Sequence, residues 1–192
     1  VLELGDDVFL TEVAAIVQYI ADRIPESGLA PRPFTLERYR LQEWLGFVGA
    51  ELHKAFVPLF KPDTPDDYKR SVREGLAARL GYVAAHLGGR DYLVGDRFTV
   101  ADGYLFTVLG WCDAVGIDSG RWPALVAFQE RVGQRQSVRD ALAAIAMEQV
   151  KAEFQESTWR AFWLTAVEGQ SAADVAQQLK LSSGAVYVAK SR

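Results

Sequence analysis

Histidine, lysine and two glycines stand close together in Gly46-Phe47-Val48-Gly49-Ala50-Glu51-Leu52-His53-Lys54. A cation beside an acidic group lowers the pKa of that group, and for a thiol it makes the nucleophilic thiolate available. A lone histidine in mid-helix is ordinarily a surface or core residue, so the neighbours decide how it is read. Glycine costs roughly 1 kcal/mol per residue inside a helix. Gly46 and Gly49, in a stretch that otherwise reads as helix, therefore point to close approach by a ligand or by another helix. Both clear side chains from a face that leads to His53.

The elements around this pair follow from periodicity and punctuation. Val1 to Leu10 alternates as a strand pair, with Gly5-Asp6-Asp7 as its turn. Two strands alone are marginal in water. Thr11 is expected to cap a helix reaching about Ile24, with Ala15, Ile16, Tyr19 and Ile20 as its apolar stripe and Pro25 as its stop. Pro25 to Pro33 reads as a linker. One long helix is expected from Thr35 to about Phe60, with a buried seam at Leu41, Leu45, Val48, Leu52, Ala55 and Leu59. A second runs from Tyr68 to about Leu87. Thr99 and Asp102 fit the N-cap and N3 positions of a capping box, with Asp in place of the usual Glu. The helix they open, to about Val115, is apolar nearly all round and therefore central. Trp122 to about Gln134 completes a bundle. Val138 to Val167 is almost continuously helix-forming and is broken at Gly169. Ser171 then caps Ala172 to Leu179, Lys180-Leu181-Ser182 makes a turn, and Ser183 to Arg192 forms a last helix. Two short helices on a three-residue turn have helix-turn-helix geometry.

Composition narrows the classes. Apolar residues make up 49% of the 192, enough for a core and far from a disordered chain. The single cysteine, Cys112, cannot form an internal disulfide, which fits a reducing cytoplasm. No apolar run approaches the ~20 residues of a membrane helix, so no membrane partner is expected. Val1-Leu2-Glu3-Leu4 lacks the basic flank and apolar stretch of a signal peptide. A net charge of −4 argues against a chain built wholly for nucleic acid.

Several ordered segments resemble a beta-class bacterial glutathione transferase over residues 1 to about 143. They are Thr11-Glu12 before Ala15-Ile16-Val17-Gln18-Tyr19-Ile20, then Glu43-Trp44-Leu45, Glu51-Leu52-His53-Lys54 and Phe60-Lys61-Pro62-Asp63-Thr64-Pro65, and finally Phe98-Thr99-Val100-Ala101-Asp102 with Tyr104-Leu105-Phe106-Thr107-Val108. The resemblance implies glutathione as co-substrate, no metal, and a homodimer. It implies that Glu12 takes the γ-glutamyl end of glutathione, helped by the backbone of Val13 at a helix start, where unpaired donors and the dipole suit a carboxylate. It implies that His53 and Lys54 are the catalytic residues on the sulfur side, with Gly46, Ala50, Glu51 and Leu52 beside glutathione. Gly46 stands where the family often has Asn. In the family a thioredoxin-like domain precedes the helices and carries the cysteine and most of the glutathione contacts. This chain matches only from just after that domain's cis-proline, so weak or absent catalysis is expected of it. Cys112, within the apolar helix after Trp111, is expected to be a buried structural thiol.

The tail, from about Met147 to Arg192, resembles region four of an extracytoplasmic-function sigma factor. The matching residues are Phe154-Gln155-Glu156-Ser157-Thr158-Trp159-Arg160, Glu168-Gly169-Gln170-Ser171, Ala172-Ala173-Asp174-Val175-Ala176 and Ser183-Gly184-Ala185-Val186-Tyr187. That resemblance implies DNA and RNA polymerase as partners, with Ser182, Ser183, Tyr187, Lys190 and Arg192 as contacts to a promoter minus-35 element. The tail carries five basic and five acidic residues, and only Lys180, Lys190 and Arg192 are charged after Asp174. The reading end is therefore basic, but thinly so.

The expectation is a mainly α chain in three parts. Residues 1–25 form a β-hairpin and helix remnant of a thioredoxin-like domain, residues 34–143 an all-helical glutathione-transferase bundle, and residues 147–192 a helix-turn-helix.

Overall fold

A computed structural model describes every residue except Phe154 and Arg192, and every side chain except those two and Val150, Ala152, Glu153, Val167, Ser183, Tyr187, Lys190 and Ser191. The chain is mainly helical and divides into two compact units, Val1–Arg135 and Gln136–Arg192.

The first unit opens with the expected hairpin. Strands β1 (Leu2–Glu3) and β2 (Phe9–Leu10) pair antiparallel, with Leu2 opposite Leu10 and Glu3 opposite Phe9. Helix α1 (Val13–Arg23) follows. Its N-cap is Glu12, at φ 66°, and not Thr11 as the sequence suggested. The first in-helix acceptor is the Glu12 carbonyl, bonded by the N–H groups of Ala15 and Ile16 at 3.0 Å, so a Thr11 side chain lies one residue too early.

The long helix predicted over residues 35–60 is continuous but not uniform. Thr35 caps α2 (Leu36–Phe47), accepting from the Arg38 N–H. A π-helical stretch then spans Val48–His53, and α3 (Lys54–Phe60), with Pro58 inside it, completes the rod. Most of the expected seam is buried: Leu41, Leu45, Val48 and Leu52 are shut off from solvent and Leu59 is nearly so, but Phe56 takes the place expected of Ala55, which is half-buried. Helix α4 (Asp66–Leu87) supplies Leu76, Leu80, Val83 and Leu87 at four- and three-residue steps. Helix α5 (Val100–Leu109) is surrounded as expected, but it ends at Gly110, with a short 3₁₀ turn at Asp113–Val115 beyond it. Helix α6 (Pro123–Gly133) adds Leu125, Phe128 and Val132 to the core.

Asp102 fixes the start of the central helix. Its carboxylate is fully buried and accepts 2.8 Å bonds from the N–H of Leu93, the N–H of Thr99 and the hydroxyl of Thr99. With the Asp102 N–H bonded back to Thr99, this is the predicted capping box, and it also ties down the loop between α4 and α5. Burial pushes the pKa of Asp102 above the usual carboxylate value, against the pull of these donors.

The second unit contains α7 (Gln136–Glu153), α8 (Glu156–Phe162), a π-helical stretch Trp163–Val167, α9 (Ala172–Leu179) and α10 (Ser183–Ser191). The predicted unbroken helix over 138–167 is interrupted, because Gln155 is extended and caps a fresh helix. Ala161, Leu164, Val175, Ala176, Val186 and Ala189 form a small core of its own. Ser171 caps α9 as expected, accepting from the Asp174 N–H. Lys180, in the left-handed region at φ 55°, turns the chain, and the Ser182 hydroxyl accepts from the Ala185 N–H at the start of α10.

Replacing Asp102 with alanine strands two backbone amides and a hydroxyl without their acceptor. A lost cap together with buried unpaired donors predicts destabilisation of about 3 kcal/mol in urea unfolding. A loss below about 1 kcal/mol would mean that water substitutes for the carboxylate.

Candidate active site

A cleft of about 350 Å³ lies between the start of α1 and the middle of the long helix rod. Glu12, Val13 and Ala14 line one side, and Leu45, Gly46, Gly49, Ala50, His53 and Lys54 the other, with Tyr104 of α5 at the base of the set. The relative position of the two sides is held by Arg38. Its nearly buried guanidinium donates to both carboxylate oxygens of Asp22 in α1, and its Nε donates to the Pro31 carbonyl at 2.8 Å. Planar, bidentate pairing of this kind fixes orientation as well as distance.

Each side contributes a different chemistry. At the start of α1, the amides of Val13 and Ala14 precede the first in-helix bond, so they belong to the donor-rich end that favours an anion. Glu12 at φ 66° holds a backbone conformation that non-glycine residues seldom adopt, and such residues concentrate at functional sites. The other wall is the π-helical stretch, also a feature frequent at functional sites. Its wider turn lets the consecutive residues His53 and Lys54 both border the cleft.

The two glycines divide the roles expected of them. A Cβ on Gly46 would meet nothing within 4 Å, so its absence leaves open cleft. A Cβ on Gly49 would lie 3.6 Å from the Tyr104 hydroxyl, so there the close neighbour is another helix. Tyr104 was no candidate in the sequence, where it passed as part of an apolar run. The available signal is an aromatic hydroxyl on a mostly apolar helix, which it shares with the hydroxyl of Thr107 and the carboxylate of Asp102. His53 Nδ1 lies 2.7 Å from the Tyr104 hydroxyl, and its ring stands edge-on to Trp111 at 4.8 Å. Trp111, also missed, packs against Phe56 and Phe60 as well. Burial, then the negative charge of Glu12, pushes the Tyr104 phenol above its ordinary pKa. Lys54 is exposed, and its side chain makes no ion pair or hydrogen bond among the described residues.

Of the residues singled out from sequence, Glu12, Val13, Gly46, Ala50, His53 and Lys54 come together here. Glu51 and Leu52 do not border the cleft. Glu51 accepts a 2.9 Å bond from Arg79 of α4, and Leu52 is fully buried in the helix seam. Adjacent positions on a helix face different ways, which separates them from His53. Cys112 is buried, as expected, and burial with the neighbouring charge of Asp113 pushes its thiol up to about 11. It is no nucleophile near neutral pH. Among the described residues no cluster of three metal-ligating side chains occurs, and no helix is long and apolar enough to cross a membrane. Of the tail residues named for DNA, Ser182 caps α10, whereas Arg192 and the side chains of Ser183, Tyr187 and Lys190 lie outside the described residues.

The sequence and fold of the first unit are similar to those of known proteins. Residues 47–136 match the family described as glutathione S-transferase, C-terminal domain, which ends where the second unit begins. Glutathione S-transferase GstA of Escherichia coli O157:H7 is 45% identical over 143 residues, covering 74% of this chain and 71% of that protein. The bacterial glutathione transferase BphK, solved as a ternary complex, superposes with a TM-score of 0.73 at 53% identity, over 74% of this chain and 72% of that one. A sphingomonad glutathione S-transferase solved with glutathione gives a TM-score of 0.68 at 49% identity, over 70% of this chain and 67% of that one. With a superposable helical bundle and this level of identity, the chain belongs to the glutathione S-transferase family.

Proposed function

We propose that the cleft is a beta-class glutathione site, and that this 192-residue chain binds glutathione while catalysing its conjugation to electrophiles weakly at most. The observation that carries the reading is the pairing of Glu12 and the Val13 amide with His53 and Lys54 across one cleft. The first pair suits the amino and carboxylate groups of a γ-glutamyl end, and the second suits a sulfur anion. Weak catalysis is supported by the lining itself: the chain's one thiol is buried elsewhere. Gly46 also leaves unfilled the position where an amide would reach the ligand. Calorimetric titration is expected to give a dissociation constant near the millimolar level, about 4 kcal/mol of binding free energy. Glu12→Gln should weaken binding about tenfold, or 1.4 kcal/mol, and Gly46→Asn should tighten it severalfold. A micromolar constant in the unaltered chain would overturn the weak-site reading, and indifference to Glu12→Gln would overturn the assignment of the γ-glutamyl end.

We read the same unit as self-associating into a homodimer. Val8, Phe9, Tyr19 and Ile20, on the hairpin and α1, are exposed apolar side chains, and a two-stranded hairpin has open edges. Light scattering should find a dimer; a stable monomer at high concentration would count against it. The assignment to the cytoplasm rests on the lone, reduced cysteine.

A second reading concerns the tail as a DNA-binding, sigma-type module that also meets RNA polymerase. It is supported by the separate core of the second unit and by the short turn through Lys180 and Ser182 between α9 and α10. With so few basic residues at the reading end, affinity should lie near the ~10⁻⁴–10⁻⁶ M of non-specific complexes. Lys190→Ala should reduce the salt slope by about one, whereas Tyr187→Ala should change preference among sites. Gel-shift titrations at two salt concentrations that show no dependence on salt or on Lys190 would sink this reading.

A further inference from the structure

We infer that Tyr104 is a positioning residue: its hydroxyl donates to Nδ1 of His53 and so holds the neutral imidazole in the Nε2–H form, making His53 a hydrogen-bond donor to the ligand and not a proton acceptor. The inference takes the cleft as a glutathione site for its consequence, but the geometry and its test stand without glutathione.

Two arrangements are compatible with the 2.7 Å contact. In one, the phenol donates to Nδ1. In the other, Nδ1–H donates to the phenol oxygen, and the phenol proton must find a second acceptor. Among the described residues no other hydrogen bond to the Tyr104 hydroxyl occurs, so only the first arrangement pairs the phenol proton within the protein. Chemistry points the same way, because a phenol is the better donor of the pair and an imidazole nitrogen the better acceptor. The surroundings keep the phenol protonated, since partial burial and the nearby Glu12 carboxylate both oppose its ionisation. Trp111, edge-on to the ring at 79°, restricts the ring flip that would exchange the two nitrogens. The neutral ring of His53 thus presents a fixed Nε2–H to the cleft, beside the Lys54 side chain. A proton lost by a bound thiol would then leave to solvent.

The chain has only two histidines, which makes the test direct. His86 Nε2 lies 2.9 Å from the Leu93 carbonyl, an acceptor only, so its neutral ring must also be the Nε2–H form. Nitrogen-15 chemical shifts of the full chain without ligand, above the pH where both rings are neutral, should show both histidines as Nε2–H. In Tyr104→Phe, His53 should become a mixture of tautomers while His86 stays as it was, and glutathione affinity should fall severalfold. Finding His53 as Nδ1–H in the unaltered chain would overturn the inference, as would an unchanged tautomer population in Tyr104→Phe. If the phenylalanine variant loses the His86 signature its fold is damaged, and the tautomer in the unaltered chain decides alone. A chain with the expected tautomer that does not bind glutathione would refute the glutathione site and leave the positioning role standing.

Discussion

A single buried carboxylate holds the first unit in register. Asp102 lies at the start of the central helix, where it takes two backbone amides and a hydroxyl from the loop before it. Burying an ionisable group is costly unless every lone pair is used, and here three donors converge on it. The return is geometric. The anchored loop sets where α5 begins, and two residues further on stands Tyr104, the one hydroxyl of α5 that faces the cleft. The site therefore inherits its precision from a cap that touches no ligand.

The cleft itself is assembled from departures from regular structure. One wall is a helix start entered through a positive φ at Glu12, and the other is a π-helical stretch interrupted by glycine. Each departure costs stability locally, of order 1–3 kcal/mol for a strained backbone and about 1 kcal/mol for a mid-helix glycine. The costs are tolerated because the opposite face of the same rod is part of a closely packed core. Leu45 shows the division most plainly: it borders the cleft, yet its side chain is 1% exposed and belongs to the bundle.

The sequence was most informative where one rule acts on a local window. The helix seams, the Ser171 cap and the Thr99–Asp102 box follow from spacing, and they appear at the expected residues except that Phe56 replaces Ala55 in the seam. It misled where a choice depends on tertiary neighbours. Thr11 looks as good a cap as Glu12, and only the course of the chain out of the hairpin makes Glu12 the cap. The π-helical stretch has no signature in the periodicity, because the buried positions on either side stay three or four apart. Six of the eight positions that the sequence links to glutathione or catalysis line the cleft, whereas Glu51 and Leu52, near His53 in the chain, point to α4 and to the core. Tyr104 and Trp111 were invisible for the opposite reason. Their importance lies in what they touch across the bundle, which no local pattern encodes.

Fold and site in this chain rest largely on different residues. The residues that would carry glutathione are bordered by solvent and open cleft, so a change at Gly46 or Lys54 disturbs no packing. The residues that hold the fold, such as Asp102, Leu105 and Phe128, are fully buried and do not line the cleft. His53, like Leu45, belongs to both sets, but it also presents a polar group to the cleft. Its ring is gripped by Tyr104 and Trp111, and through them by the central helix and the turn after it. A substitution there would be felt by the bundle and by the ligand alike, which makes His53 the residue least free to change as the rest of the cleft is retuned.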